Sequence, residues 1–519
     1  MEGEVTDLPF DEGGLCLIPS EEGIPRALLP LDLPANYLRE ARFLKNSGAL
    51  LKGVWGATSE MPSVYAAFLL KEGLVVLSLS LSPDTLSFPS LSEIFPAAGR
   101  FERMVRDLFG FSPVGLSDLR PQTDHGLWVR PPLSNPNIPV AHLQPSSPPG
   151  DYPFVRVAGE GVHEIPVGPV HAGIIEPGHF RFSVVGEKVL RLETRMGYTH
   201  KGIASLFRGR TISEGARLAS RISGDSAVAY SLAFSQAVEQ ATGITPSEGS
   251  RFVRAILLER ERIANHLGDL GSLGNDAGLG AALSLFGRLR ESLHRTSLTF
   301  FGHRLLFDSL VPGGASSGLS VSAVEHLLGE CDFLTRELSQ LERIYADHGG
   351  LQDRFQNTGI LSPEVAHLYG VGGVAGRASG QAFDARVDHR GDPTHRFAPA
   401  LSLDHTGDVA ARVRIRFLEI FESLLFTRSL LLHLPEPPLT MALPDIPEPR
   451  EGCALVEGFR GEVIGWVRLL PGGVIESAHI QDPSPLLWHA LEAATPGNLV
   501  ADFPLINKSF NPSYSGTDL

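Results

Sequence analysis

Cysteine is scarce in this chain, with only three among 519 residues. Cys16, Cys331 and Cys453 lie too far apart in sequence to form a C-x-x-C metal site. A chain this long with so few cysteines does not depend on a disulfide framework. We therefore expect a protein of a reducing compartment.

Long apolar runs are also missing. The most apolar segment near the C-terminus, 417–434, carries two glutamates and an arginine. Such a segment is typical of a buried amphipathic helix rather than of a membrane span. The first residues, MEGEVTDLPFDEGG, are acidic, whereas a signal peptide needs a basic start and an apolar core. We expect neither a transmembrane segment nor a signal peptide, so that any membrane association goes through partner proteins.

Basic residues are outnumbered by acidic ones. The chain has 44 Lys and Arg against 59 Asp and Glu, which gives a net charge of −15. A general nucleic-acid binder needs a basic face, so nucleic acid is not an expected partner. The apolar content of 43% is sufficient for packed cores.

Composition and secondary-structure patterns divide the chain into three parts. Residues 1–130 mix strand-like runs such as 72–82 with a helical pattern over 101–110, which predicts a small α/β domain. Residues 131–165 are dense in Pro, Ser and Asn and are predicted to be a linker. Residues 166–519 are mainly helical by pattern. The predicted class is α+β: a small α/β N-terminal domain, a Pro-rich linker and a large, mainly helical domain with small peripheral β-sheets.

The large domain contains several long helical patterns. The first is predicted to start with Thr245 as N-cap and Pro246 at the first helical position. The helical patterns lie at 245–267, 281–307, 321–348 and 408–434, and two strand-like pieces lie at 180–197 and 454–480.

Seven short stretches concentrate His, acidic, Arg and Gly residues. In chain order they are GPVHAGIIEPGHFRF (168–182), RMGYTHKGI (195–203), RISGDSAVAY (221–230), LLERERIANHLGDLGSLGNDAG (257–278), GRASGQAFDAR (376–386), VEGFRGEVIGW (456–466) and DFPLINKSFNPSYSGTDL (502–519).

These stretches, in this order, resemble the large subunit of membrane-bound (group 4) nickel–iron hydrogenases of the formate hydrogenlyase type. They are equally similar to the D part of the fused C and D subunits of bacterial NADH:quinone oxidoreductase (complex I). The stretch ERMVRDLFGFSPVGLSDLR, 102–120, resembles the C-subunit signature. The resemblance covers essentially the whole chain. It implies a C-subunit-like domain over 1–130 and a hydrogenase-large-subunit-like domain with that fold over 166–519.

The resemblance gives a meaning to the two serines of RISGDSAVAY. In hydrogenases of this type, two pairs of cysteine thiolates hold nickel and iron. The matching positions here are Ser223, Ser226, Ser513 and Gly516. A serine hydroxyl is a poor ligand for a soft metal, and glycine has no side chain. The resemblance therefore implies that the metal site is vacated, that this chain holds no metal and that hydrogenase activity is lost.

Other residues of the hydrogenase pattern persist. Glu176 matches the glutamate that passes protons from the metal thiolates, and Arg460 matches an arginine that lies over the ligands of the iron. Asp225, between the two serines, is a third ionisable group that could pair with them. A structural role and a proton-relay role for this cluster both stay open.

The complex I resemblance implies a quinone cavity. His171, in a G-P-x-H loop, matches a histidine that hydrogen-bonds the quinone, but the matching tyrosine position falls on Gly224. Tyr198 and Tyr230 are nearby in sequence and could substitute. His171, Gly224 and Tyr198 are therefore the candidate quinone-cavity residues. His179 shares the loop of His171 and is a candidate proton carrier.

Four other residues are expected to be structural. His266, like His200, is expected to hold a backbone or carboxylate partner. Glu259 and Arg262 are three apart on one predicted helix and can form an ion pair.

The resemblance leaves three functions open. The first is the large, electron-transfer or coupling subunit of a membrane-bound, complex I-like oxidoreductase without a nickel–iron centre, which couples redox chemistry to proton or ion movement. The second is a quinone-reducing subunit, and the third is a non-catalytic scaffold. A hydrogenase with substitute ligands is a further hypothesis, which nickel analysis would test.

The implied partners are a small iron–sulfur subunit of the complex I B type, which carries the cluster, antiporter-like membrane subunits and ferredoxin-like iron–sulfur subunits. The implied place is the cytoplasmic side of the inner membrane. Quinone is the only cofactor expected to contact this chain.

Overall fold

The computed structural model describes residues 7–8, 15–16, 26–31, 33–59, 61–137, 152–173, 175–388, 393–435 and 440–519. Within them the strands are β1 (Asp7–Leu8), β2 (Leu15–Cys16), β3 (Arg26–Leu31), β4 (Leu50–Ala57), β5 (Ser63–Leu69), β6 (Leu74–Ser80), β7 (Ser87–Pro89), β8 (Ser112–Val114), β9 (Val162–Val167), β10 (His179–Val185), β11 (Lys188–Arg195), β12 (Leu310–Val311), β13 (Gly314–Ala315), β14 (Arg450–Gly458), β15 (Gly461–Leu470) and β16 (Val474–Gln481).

The helices of the described residues are α1 (Pro34–Asn46), α2 (Ala98–Phe109), α3 (Ile203–Phe207), α4 (Ile212–Ala219), α5 (Ala227–Thr242), α6 (Glu248–Asp276), α7 (Gly280–Phe301), α8 (Val321–Asp347), α9 (Gly349–Phe355), α10 (Pro363–Leu368), α11 (Gly373–Ala378), α12 (Ala385–Asp388), α13 (Thr394–Phe397), α14 (Val409–Leu432), α15 (Ser484–Ala494), α16 (Phe503–Phe510) and α17 (Tyr514–Asp518). The predicted α+β class is confirmed.

The N-terminal region is built on a four-stranded sheet of order β3-β6-β5-β4. Strands β3 and β6 are parallel, and the other pairs are antiparallel. Helix α2, which ends at Gly110 as expected, packs on β4. Trp55 and Tyr65, on β4 and β5, pack against Trp466 of β15, with ring centroids 6.2 and 4.6 Å from the Trp466 ring. Aromatic packing thus joins the N-terminal region to the C-terminal half.

Helix α5 packs very closely on the antiparallel sheet β14-β15-β16. A Cβ on Gly452 would lie 2.0 Å from the carbonyl oxygen of Ala237, and one on Gly465 would lie 2.3 Å from that of Ala233. Only glycine permits this approach of helix and strand. The contact fixes the start of α5 relative to the β14–β15 hairpin.

The remaining long helices, α6, α7, α8 and α14, share one apolar core. Helix α6 begins later than expected: its N-cap is Ser247, whose hydroxyl accepts the Ser250 N–H at 3.3 Å, and not Thr245. Side-chain capping by Ser247 satisfies one of the free N–H groups of the first turn. None of the described helices is long and apolar enough to cross a membrane.

The predicted linker, 131–165, contains no helix or strand in its described residues up to 161, but its last four residues, 162–165, belong to β9. Residues 131–137 and 152–161 contain no helix or strand, and β9 begins at Val162. Residues 138–151 of the predicted linker lie outside the described residues. The domain limits at 130 and 166 stay predictions.

Candidate functional site

The four positions that match metal thiolates lie around one point of the fold. Ser223 and Ser226 precede α5, while Ser513 is the N-cap of α17 and accepts the N–H of Gly516 at 2.9 Å. Arg460 forms the tip of the β14–β15 hairpin, and its Nη1 donates to Ser226 Oγ at 3.1 Å. The hairpin therefore inserts a guanidinium at the point where these segments meet.

Arg460 is held by an ion pair and a backbone contact. Its Nη2 lies 2.5 Å from Oδ2 of Asp225, and its Nε donates to the carbonyl oxygen of Asn511 at 2.5 Å. The Ser223 hydroxyl donates to Oδ1 of Asp225 at 2.5 Å. Burial alone would raise the pKa of Asp225, but the charge and hydrogen bond of Arg460 outweigh it, and the pKa is lowered. Asp225 is therefore an anion at neutral pH.

The space beside Gly516 is filled by other side chains. The Tyr230 hydroxyl donates to Oδ2 of Asp482 at 2.6 Å. A Cβ on Gly516 would lie 2.7 Å from the Tyr230 hydroxyl oxygen and 2.8 Å from Cγ of Asp482. Burial raises the pKa of both Tyr230 and Asp482. We call Arg460, Asp225, Ser226, Tyr230 and Asp482 the Arg460 cluster.

A nickel–iron centre does not fit this arrangement. Three hydroxyls and a glycine stand where thiolates are needed, and soft metals require soft ligands. A cysteine at Gly516 would collide with Tyr230 and Asp482 unless both move. In the described part of the chain, no three His, Cys, Asp or Glu side chains are grouped so that they could hold a metal ion.

The loop between β9 and β10 carries two more of the predicted site residues. Glu176 is exposed and accepts the Ser515 N–H at 3.0 Å, and it also accepts the Ser515 hydroxyl. It therefore contacts the segment between the last two thiolate positions and not Asp225. His171 Nε2 lies 2.7 Å from the carbonyl oxygen of Gly178 in the same loop.

Neither of two cavities near these segments is lined by all three residues expected to contact quinone, and their role stays a prediction. Gly224 and Asp225 line a cavity of about 180 Å³. Tyr198 and His179 line a different, more polar cavity, and His171 lines neither. The reason is the path of the chain: the segment after β11 runs along the N-terminal region, whereas Gly224 faces the residues that follow α7.

Glu261 is a buried carboxyl group at the wall of the 180 Å³ cavity. Its oxygens accept the N–H groups of Val228 and Ala229 at 2.6 and 3.1 Å, at the start of α5. These bonds favour the anion, but burial outweighs them and raises the pKa of Glu261 to about 8. Glu261 can therefore gain or lose a proton near neutral pH.

Buried ion pairs extend from the Arg460 cluster along α6 and α14. The Asn511 side chain, next to Arg460, donates to Asp269 at 2.9 Å, and Asp269 pairs with Arg416 at 3.0 Å. One turn earlier on α6, His266 lies 2.9 Å from Glu419. Further pairs are Arg377–Glu419 at 2.7 Å, Arg377–Glu457 at 2.8 Å, Arg386–Asp384 at 2.6 Å and Arg386–Glu259 at 2.9 Å.

The residues predicted to be structural have the expected partners. His266 contacts a carboxylate, and His200 Nδ1 lies 2.7 Å from the carbonyl oxygen of Asp518. Glu259 and Arg262 form an ion pair at 3.3 Å. These three expectations are confirmed.

Sequence reasoning missed Glu261, Asp269 and Asp482. The first two lie on α6, where many of the buried residues are charged, so charge does not mark the exposed side of the helix. Asp482 directly follows β16 and becomes important only because α5 brings Tyr230 to it. No local signal identifies it.

Two family models match separate parts of the chain. Residues 34–137 match the 30 kDa subunit of respiratory-chain NADH dehydrogenase, and residues 276–452 match the 49 kDa subunit. The first match lies almost entirely within the predicted N-terminal domain, and the second covers part of the predicted large domain, 166–519.

Whole-chain relatives agree with these matches. Formate hydrogenlyase subunit 5 of Escherichia coli (strain K12) is 29% identical over 465 residues, 88% of this chain and 82% of that protein. The C/D fusion subunit of NADH-quinone oxidoreductase from Phocaeicola vulgatus is 28% identical over 413 residues, 76% of this chain and 79% of that protein.

A solved structure shares the fold. A chain of the membrane-bound sulfane sulfur reductase, an archaeal respiratory membrane complex, superposes with a TM-score of 0.64 at 22% identity, over 70% of this chain and 100% of that one. The chain is therefore a relative of the 30 and 49 kDa subunits of respiratory-chain NADH dehydrogenase, joined in one polypeptide, and of formate hydrogenlyase subunit 5.

Proposed function

We propose that this chain is the large subunit of a membrane-bound, complex I-like oxidoreductase that works without a nickel–iron centre. The observation that carries the proposal is the Arg460 cluster: the segments that would supply thiolates converge, and an Arg–Asp ion pair lies where they meet. The site keeps the framework of its relatives with a different chemistry.

The proposed role of the site is to couple electron arrival to proton movement. A small iron–sulfur subunit would bring the electron close to this chain, and antiporter-like membrane subunits would carry the ion. Negative charge on a nearby iron–sulfur cluster favours protonation of neighbouring carboxylates. Glu261, with a pKa near 8, and Glu457, whose pKa is raised to about 7 by burial and by Asp384, can respond in the neutral range.

The buried ion pairs support this role because they link the cluster to the interior of the domain. Asp269 and Glu419 each contact more than one cation or histidine. A change of charge on one of these groups therefore alters the electrostatic field at the neighbouring group. The proposed place of the chain is on the cytoplasmic side of the membrane, bound to the partner subunits.

The test uses the intact complex in inverted membrane vesicles, with a reduced viologen dye as electron donor and a pH-sensitive dye for proton movement. We expect Asp225→Asn and Glu261→Gln to lower proton movement at least fivefold while the complex still assembles. The matched control is Asp308→Asn, which alters the exposed Arg221–Asp308 pair. Unchanged proton movement and electron transfer in both variants would favour the scaffold function instead.

Metal analysis of the same preparation tests the proposal that the complex works without a nickel–iron centre. We expect iron from the partner clusters and no nickel bound in proportion to the chain. Stoichiometric nickel would contradict the proposal.

Quinone reduction is a second candidate, because the 180 Å³ cavity opens beside Gly224 and Asp225. It predicts that the complex reduces a soluble quinone analogue and that Gly224→Val slows this reaction. A Cβ at Gly224 would lie 3.2 Å from Cδ1 of Leu305 and would begin to fill the cavity. Equal rates in the wild type and the variant would exclude this cavity as the quinone site.

A further inference from the structure

A second, polar cavity of about 490 Å³ lies where the N-terminal region meets the β9–β11 sheet. Three arginines line it: Arg156, Arg181 and Arg195. Among the described residues of its wall, Glu164 is the one acidic residue, and it pairs with Arg181 at 2.9 Å. The described wall therefore carries two more guanidinium charges than carboxylate charges.

Arg195 is the best buried of these arginines, with 8% of its surface exposed. Its Nη2 donates to the carbonyl oxygen of Asp124 at 3.1 Å and lies 3.2 Å from Nδ1 of His125. Its Nη1 is buried and has no hydrogen-bond partner among the described residues. The guanidinium also interacts with the side chain of Tyr198 in the same wall, so Arg195 is held in place at the cavity.

Aromatic rings hold two of the arginines in place. The Arg195 guanidinium carbon lies 4.0 Å from the centre of the Tyr152 ring, and that of Arg181 lies 4.4 Å from the centre of the Phe154 ring. Guanidinium groups fixed in this way lose little freedom when a ligand binds. The cavity is thus preorganised for an anion.

The two histidines of the wall have lowered pKa values, mainly because of burial. Burial lowers the pKa of His179, and the charges of Arg181 and Arg195 lower it further. Burial also lowers the pKa of His125, with Arg195 as the second cause. Neutral imidazoles leave the arginines as the positive charges of the site.

We propose that this cavity binds the phosphate group of a small molecule or of a lipid headgroup. Two uncompensated guanidinium charges favour a phosphate group, whether a monoester dianion or a diester monoanion, and the planar fork of arginine can donate to two of its oxygens. Arg156, which is exposed, lies at the rim and would contact the rest of the ligand.

The first experiment is calorimetric titration of the full-length chain with inorganic phosphate, at constant ionic strength against chloride. We expect saturable binding that Arg195→Gln weakens at least tenfold. The double variant R156Q/R181Q changes less buried residues and should weaken binding as strongly. The control is Arg343→Gln, on the exposed surface of α8, which should leave binding unchanged.

The second experiment separates the two sources of the phosphate group. The same proteins are mixed with vesicles of phosphatidylglycerol or of phosphatidylcholine. Binding of free phosphate indicates a soluble ligand, and Arg195-dependent binding to phosphatidylglycerol vesicles alone indicates a lipid. The proposal is overturned if the folded chain binds neither, or if binding persists in both arginine variants.

Discussion

The guanidinium of Arg460 and the carboxylate of Asp225 lie 2.5 Å apart, although 235 residues separate them in sequence. Arg460 is almost fully buried, while the Asp225 side chain is 31% exposed toward the 180 Å³ cavity. The pair joins the tip of the β14–β15 hairpin to the start of α5. It therefore stabilises the meeting point of segments that a metal centre would otherwise hold.

A double-mutant cycle should measure a real coupling between these two residues. We expect Asp225→Asn and Arg460→Gln to show an interaction free energy of about 1–3 kcal/mol in urea unfolding. The equivalent cycle on the exposed pair Arg221–Asp308 should give only about 0–1 kcal/mol.

The pH dependence of this coupling follows from the lowered pKa of Asp225. A depressed folded-state pKa means that the contribution is present above the unfolded value, about 4, and is lost as pH falls further. The coupling should be constant between about pH 5 and 8. A coupling that falls steadily across this range would show that another group controls the pair.

Gly516 should not accept a side chain while Tyr230 is present. We expect Gly516→Ala to lower the free energy of unfolding by about 1–3 kcal/mol, because its Cβ would lie 2.7 Å from the Tyr230 hydroxyl oxygen. Adding Tyr230→Phe removes that oxygen and should restore part of the loss. The control is Gly287→Ala on α7, where a Cβ has open space and should stabilise the helix. Equal effects at the two glycines would contradict the filled-site interpretation.

Glu261 should make the free energy of unfolding decrease as the pH rises from weakly acidic to weakly basic. Its folded pKa of about 8 lies above the unfolded value. Its stabilising contribution is therefore full below about pH 4 and is lost as pH rises through 8. Glu261→Gln removes the titration, so the variant should gain about 1–4 kcal/mol on the wild type between pH 5 and 8.

Urea unfolding at several pH values measures this difference. Glu291→Gln is the control, because the exposed Glu291 carboxylate is hydrogen-bonded by Arg304 and its pKa is lowered to about 2. Its contribution changes only at acidic pH. A constant difference between E261Q and the wild type across pH 5 to 8 would show that Glu261 does not titrate there.

The sequence predicts those parts of the fold in which the signal is local. Helix α2 ends at Gly110 because the backbone adopts a left-handed conformation there, which favours glycine. The strand predicted within 72–82 follows from the β-branched composition of that segment. The four thiolate positions could be identified only through the resemblance to the hydrogenase large subunit. Their convergence with Arg460 could be expected only through the resemblance.

What the sequence could not predict depends on contacts between distant segments. Tyr198 and Gly224 lie only 26 positions apart by number, yet β11 and the loop before α5 direct them into different cavities. In the sequence, Glu261 is one of many charged residues on α6, and only the position of the start of α5 shows that it is buried and hydrogen-bonded. Tertiary packing decides these cases.

The buried pair of Lys52 and Glu462 should control how the N-terminal region docks. Lys52 lies on β4, its Nζ is 3.1 Å from Oε1 of Glu462 on β15, and both side chains are at most 3% exposed. Lys52→Met leaves the Glu462 carboxylate buried without its cation and should cost about 3–5 kcal/mol. Adding Glu462→Gln removes the orphaned charge and should recover much of that loss. The exposed Lys71→Met is the control and should have little effect.

Limited proteolysis of the same variants shows where the loss occurs. If the pair holds the two halves together, K52M should be cut faster in the N-terminal region than the wild type, and K52M/E462Q should approach the wild-type rate. A K52M chain that unfolds like the wild type would mean that other contacts, such as that of Trp55 and Tyr65 with Trp466 and the Arg100–Glu492 pair, hold the interface without it.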